Sequence, residues 1–102
     1  MTEDIKMDIE FSVIKRSGIK EQINYEKITK RLRNLCNKTD LQYINPSFIT
    51  SKIASEIKNN MTTQEIDELA AIVCEQMSLQ HYRYGNLGAR ILINNLQSQI
   101  LP

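Results

Sequence analysis

The sequence predicts an α+β fold that is mainly helical, a four-helix bundle capped by a small N-terminal β-hairpin or sheet lid. Three observations lead there. An alternating segment around Phe11, Val13 and Ile14 meets the turn signal Ser17-Gly18, and a second extended segment follows. Helix-start signals then recur at Asn24, at Asn45-Pro46 and at Thr62 with Glu65. After each of them, apolar residues return at helical spacing.

Taken in order, residues 1–10 read as a flexible leader, acidic and without an apolar stretch. The first strand runs through Phe11–Ile14. Ser17-Gly18 makes a two-residue turn, and Ile19–Ile23 form the return strand. Asn24 caps a first helix from Tyr25, with Tyr25, Ile28, Leu32, Leu35 and Cys36 on its apolar face. Residues 37–45 read as a polar loop. Asn45 caps a second helix, whose first-turn Pro46 gives up an N–H that would have no helical partner. That helix buries Ile49, Ile53 and Ile57. Asn59-Asn60 breaks the pattern, and Thr62 with Glu65 forms a capping box. The third helix carries Ile66, Leu69, Ala70, Val73 and Met77 on one face. Residues 81–85 read as a connection into a fourth helix bearing Tyr84, Leu87, Gly88, Ile91, Leu92 and Leu96. Gly88-Ala89 are small enough to let a neighbouring helix approach.

Composition bounds the function. With 102 residues the chain has room for one domain with one core, and 41% apolar with 25% charged residues argues against general disorder. A net charge of +1 argues against a general polyanion binder. The charge is uneven, however: residues 15–38 hold eight Lys or Arg against two Glu, a local cationic patch that attracts phosphate. A solvated helix face explains most of these lysines equally well. Cys36 and Cys74 are far apart, fit no zinc spacing, and fall at apolar helical positions, so buried free thiols in a reducing, cytoplasmic setting are expected. No 18-residue apolar run exists, so no membrane span is expected. The single histidine, His81, has no partner for nucleophilic catalysis, so these residues hold no recognisable catalytic or metal site.

Phosphate binding has a better basis. Neither GxxxxGK[ST] nor GxGxxG is present, but a helix N-terminus combined with cations can hold phosphate without a glycine loop. The Thr62-Thr63 helix start supplies backbone N–H groups and a hydroxyl, and Lys15 and Arg16 supply charge from the strand. Each residue also has a purely structural explanation, Thr62 as a cap and Lys15 as a solvated strand residue.

The pieces Val13-Ile14-Lys15-Arg16-x-Gly18, Glu21, Lys27-Ile28, Thr62-Thr63-x-Glu65-Ile66-Asp67 and Tyr84-x-x-Leu87-x-Ala89-Arg90-Ile91 with Asn95-Leu96 follow one another from Val13 to about Leu96. In this order and spacing the sequence resembles the ATP-cone, the overall-activity domain at the N-terminus of class I ribonucleotide reductase large subunits. The resemblance implies a sheet lid over a four-helix bundle, with ATP or dATP bound between them as allosteric effector, accompanied by Mg2+. It implies roles for nine residues. Val13 would line the adenine pocket, Lys15 and Arg16 face the triphosphate, and Glu21 and Asn24 read the base edge. Lys27 and Ile28 would close the pocket, Thr63 bond a phosphate, and Asp67 face the ribose. Three departures stand out: Ser17 for the usual Asp, Glu26 for Asp, and no lysine after Asn95-Leu96-Gln97, where Arg90 could substitute.

The resemblance further implies that ATP activates and dATP inhibits through oligomerisation. Other large subunits, and the small radical-generating subunit, would then be partners, with no membrane or nucleic acid involved. Residues 11–98 would be the regulatory domain and 99–102 the start of a linker to a catalytic part outside this chain. Exposed faces of the first and fourth helices, including Arg31 and Arg33, would carry the inhibitory contact. Two alternatives stay open: a non-enzymatic helical module whose basic patch binds an acidic partner or nucleic acid, and the cone of an ATP-cone transcriptional repressor. The second lacks the zinc ribbon expected before the cone.

Overall fold

The computed structural model describes residues 11–100; the expected leader, residues 1–10, and residues 101–102 lie outside them. Strands β1 (Ser12–Ile14) and β2 (Lys20–Gln22) form an antiparallel hairpin, with Val13 opposite Glu21. Helix α1 (Tyr25–Asn34) follows. A short helix α2 (Asp40–Tyr43) precedes α3 (Pro46–Glu56), and a third strand β3 (Met61–Thr62) leads directly into α4 (Thr63–Met77). Helix α5 (Tyr82–Ile100) completes a mainly helical α+β fold, as expected.

The hairpin turn differs from the two-residue form. Gly18 N–H donates to Lys15 O at 2.8 Å and Lys15 N–H donates to Ile19 O at 2.9 Å, so three residues form the loop. The two-residue type I′ turn needs two positive φ angles in succession. Here Gly18 alone in the turn has one, at 89°.

The third strand was not foreseen. It is two residues long and pairs parallel to β1, giving the order β2-β1-β3. The Asn59-Asn60 break is what directs it. Asn59 Oδ1 accepts from Ser12 N–H at 2.8 Å, and Asn60 N–H donates to Ser12 O at 2.8 Å. Asn60 takes the left-handed conformation, φ 66°, which asparagine tolerates better than most residues. β1 is thus the central strand, and the start of α4 is fixed to it.

The core is built from Ile49, Ile53, Val73, Cys74, Met77, Leu87 and Ile91, with Val13 bringing the lid onto it. The close approach of α4 and α5 rests on two glycines. A Cβ on Gly88 would lie 3.2 Å from Ala71 O and from the Cys74 Cβ, and one on Gly85 would lie 3.2 Å from the Ser78 Cβ. Gly85 therefore sits inside α5 rather than in a connection. The helix begins earlier than expected because His81 caps it, its Nδ1 accepting from Arg83 N–H at 3.1 Å. The His81 ring also stacks on Tyr43 and Tyr82, at centroid distances of 4.6 and 4.7 Å. Three residues assigned to apolar faces, Tyr25, Leu92 and Leu96, are exposed. Both cysteines are free; burial pushes the Cys74 thiol up to about 12 and raises that of Cys36.

The segment 37–45, which reads as a polar loop, holds the most consequential correction. It contains α2, and α2 carries a carboxylate, Asp40, that is fully buried. Its Oδ1 accepts from Arg83 Nη1 at 2.6 Å. Its Oδ2 accepts from Arg90 Nη1 at 2.5 Å and from Asn37 N–H at 2.9 Å. Asn37 Oδ1 returns the favour by accepting from Asp40 N–H at 2.7 Å. Arg90 also donates to Leu35 O at 3.1 Å, satisfying a carbonyl left over at the C-terminal end of α1. Burial by itself would raise the Asp40 carboxyl. The Asn37 N–H and the two guanidiniums more than offset that and hold it at about 2.

Removing the charge breaks bonds to a carboxylate that is fully buried and leaves two partly exposed guanidiniums without their counterion. Asp40→Asn should destabilise the fold by about 2 kcal/mol, read from denaturant unfolding at pH 7. Because the folded carboxyl is depressed from 3.8 to about 2, its contribution is complete above its ordinary value. It should be lost as pH falls through that window, and the variant's acid unfolding should lack this component.

Candidate functional site

A cavity of about 380 Å³ opens between the hairpin, α1 and the start of α4, within the range typical of small-molecule sites. Its apolar floor is Val13, Ile23, Ile28 and Ile66. Its rim carries Lys15, Lys27, Lys30 and Arg31 against a single carboxylate, Glu21. An apolar slot with a cationic mouth suits a ligand with a flat apolar ring at one end and negative charge at the other.

Each wall follows from local sequence. Val13 in β1 and Lys15, the residue just past its end, both line the cavity, and Glu21, directly opposite Val13 in the ladder, joins them. Glu21 stands between two lysines, 3.5 Å from Lys15 Nζ and 3.7 Å from Lys27 Nζ. All three side chains are about half exposed or more, so these pairs orient the carboxylate more than they stabilise the fold. Asn24 enters as the cap of α1, its Oδ1 accepting from Lys27 N–H at 3.2 Å. That oxygen already accepts one bond, and the amide NH2 supplies the donors Asn24 can offer a ligand.

Helix α4 presents its N-terminus to the cavity through Thr63 and Ile66. The capping box is complete: Thr62 Oγ1 accepts from Glu65 N–H at 3.0 Å, and Glu65 Oε1 accepts from Thr62 N–H at 2.9 Å. The box fixes where the helix starts, and so where the Thr63 hydroxyl and the positive end of the helix dipole stand.

The cavity thus brings together Val13, Lys15, Glu21, Asn24, Lys27, Ile28 and Thr63. It does not include Arg16 or Asp67 in its lining. Arg16 follows the end of β1, and its positive charge is felt at Asp67. Asp67 lies behind the cavity wall, lining a small adjoining space of about 40 Å³ with Leu32, Leu35, Ala70 and Ile91. Its Oδ2 accepts from Arg31 Nη2 at 2.8 Å. Burial pushes the Asp67 carboxyl up, and the Arg31 charge opposes that shift.

Sequence reasoning missed Lys30, Arg31 and Asn34. They follow Lys27 at i+3, i+4 and i+7, the helical spacing that continues one face, so the signal was present in the polar stripe of α1. Arg31 is exposed, as expected, yet its guanidinium also donates across to Asp67. Arg90, considered as a substitute phosphate cation, is instead engaged with Asp40 and lines none of this cavity.

Comparison with known proteins gives a consistent result. The family model of the ATP cone domain matches residues 11–99. Over 87 residues, 85% of the chain, the sequence is 42% identical to the ribonucleoside-diphosphate reductase large subunit of monkeypox virus. Over the same length it is 38% identical to the large chain of Neurospora crassa and 36% identical to the large subunit of Caenorhabditis elegans. The matched segment is 11%, 9% and 11% of those three proteins, so the chain spans about a tenth of the length of the relatives it matches.

Since the capping box sets the α4 start, Thr62→Ala should lower stability by about 1 kcal/mol in denaturant unfolding. The loss should be smaller for Thr63→Ala, whose side chain takes no part in the box.

Proposed function

This chain belongs to the ATP-cone family, a nucleotide-binding regulatory domain, and from that premise we propose that it binds ATP and dATP in the cavity beneath the hairpin. The observation that carries the reading is the cavity's polarity: an apolar floor, a cationic rim and a helix N-terminus converging on one opening. Adenine would lie on Val13 and Ile28. Its amino group would donate to Glu21, and a ring nitrogen would accept from the Asn24 amide. Lys15, Lys27 and the Thr63 hydroxyl would meet the phosphates, with Arg16 reaching in from the turn. Asp67, which lies behind the cavity wall and is tied to the cavity through Arg31, would act on the ribose, the place where ATP and dATP differ by one hydroxyl. Magnesium would arrive on the nucleotide's phosphate oxygens, since the rim is cationic and Glu21 is already flanked by two lysines.

The parent activity we propose is that of a ribonucleoside-diphosphate reductase large subunit, with ATP favouring the active form and dATP the inhibited one. A ligand shifts such an equilibrium only as far as it prefers one state. Being scarcer, dATP has to bind more tightly, and each tenfold in affinity requires about 1.4 kcal/mol. Inhibition would proceed through assembly of large subunits. Helix α5 supports a contact surface of that kind, because Leu92, Ile93 and Leu96 are exposed on it. No described helix is long and apolar enough to cross a membrane.

Calorimetric titration with dATP, ATP and GTP in the presence of magnesium tests the reading. Saturable binding of dATP, tighter than ATP, with GTP silent, is the expected result. Lys15→Gln should weaken both adenine nucleotides by roughly tenfold, the loss of about one charge-assisted contact. Equal binding of GTP and ATP, or salt-sensitive binding indifferent to the base, would overturn it.

A further inference from the structure

Arg31 belongs to two places at once. It lines the nucleotide-sized cavity, and it also lines the small space behind it that holds Asp67. A single guanidinium nitrogen makes both of its cross-helix bonds. Nη2 donates to Asp67 Oδ2 at 2.8 Å on α4 and to Asn94 Oδ1 at 3.3 Å on α5. The Asp67 side chain is 12% exposed, whereas that of Arg31 is 46% exposed, so the arginine is the solvent-facing half of the pair. Whatever enters the cavity therefore meets Arg31 before it meets Asp67.

We propose that Arg31 is a positioning residue for discrimination at the ribose, holding the Asp67 carboxylate in place and exchanging that bond when a nucleotide enters. The inference rests on the nucleotide reading above. Its physical basis is competition for a limited set of donors. The N–H groups of Nη2 are occupied by Asp67 and Asn94, so an incoming anionic or hydroxyl-bearing ligand must displace one of them or accept from the remaining guanidinium nitrogens. In the first case the carboxylate loses the bond that orients it, and in the second it keeps that bond, so the approach of Asp67 to a ribose hydroxyl is set by Arg31. Because Asn94 lies on α5, the same exchange alters a tie between α1 and the last helix.

The test is a double-mutant cycle of Arg31→Gln and Asp67→Asn, read as the ratio of ATP to dATP affinity by calorimetry. Arg31→Gln should bring that ratio at least fivefold closer to one, and should change it less than twofold further when Asp67→Asn is already present. Arg31→Lys, which keeps the charge but has a single donor centre, should fall between wild type and Arg31→Gln. Folding of each variant is checked by thermal melting, and Arg31→Lys supplies the comparison if the glutamine variant does not fold. An unchanged ratio with both affinities equally weakened would make Arg31 a simple phosphate cation and overturn the inference alone. A wild-type chain that binds neither nucleotide would overturn the nucleotide reading, and this inference with it.

Discussion

The buried carboxylate of Asp40 is the constraint on which the geometry of the molecule depends. It accepts from two arginines of α5 and a backbone N–H of the preceding turn, and solvent has no access to it. Such a group is costly to bury and is tolerated only when its lone pairs are met. Meeting them fixes three elements together. Arg83 lies in the first turn of α5, over the rings of Tyr43 and Tyr82 at 5.4 and 5.5 Å. Arg90, two turns further along, reaches both Asp40 and Leu35 O at the C-terminal end of α1. Helix α1 is also the long wall of the cavity, so a charge cluster remote from the site sets where that wall ends.

The other end of α1 is placed by different means. Asn24 caps it, and Thr29 shares a 2.6 Å hydroxyl contact with Thr50 of α3. The lid is then positioned by β1, held between β2 and β3. Because β3 pairs with β1 and runs straight into α4, the strand that carries Val13 and the helix start that carries Thr63 are held side by side. The cavity is the gap left when these two assemblies, lid with α4 and α1 with α3, meet over the core.

Much of this was legible in the sequence because the signals were local. Caps at Asn24, Asn45 and Thr62 each sit within three residues of the group they satisfy. The hairpin was visible for the same reason, as was the apolar spacing that buries Ile49, Ile53, Val73 and Met77. What escaped is non-local. Asp40 looks like a loop residue because the two arginines that neutralise it are 43 and 50 positions away. The two-residue β3 has no periodicity to detect, and its pairing depends on Asn59 reaching back 47 positions to Ser12. Arg31 looks like surface charge until its partner at Asp67 is known. For the site, the strand and cap residues were the easy part. The cationic stripe of α1 was readable as a repeat, but its direction depended on packing against the lid.

The arrangement also separates the groups that hold the fold from the groups that line the cavity. The elements that carry the stability, Asp40 with its arginines and the α4–α5 contact at Gly88, lie away from the cavity. The ion pairs at the cavity are different in kind. Lys15–Glu21 and Lys27–Glu21 are long and half exposed, so breaking them to admit a charged ligand costs little. Arg31–Asp67 is the intermediate case, short, with one partner nearly buried and the other open. A group in that position can respond to a ligand and still be linked to the framework. In this fold the link runs through Asn94 to α5, the helix whose apolar residues Leu92, Ile93 and Leu96 face outward. One side chain of α1 thus spans from the lining of the cavity to the helix that carries this exposed apolar surface.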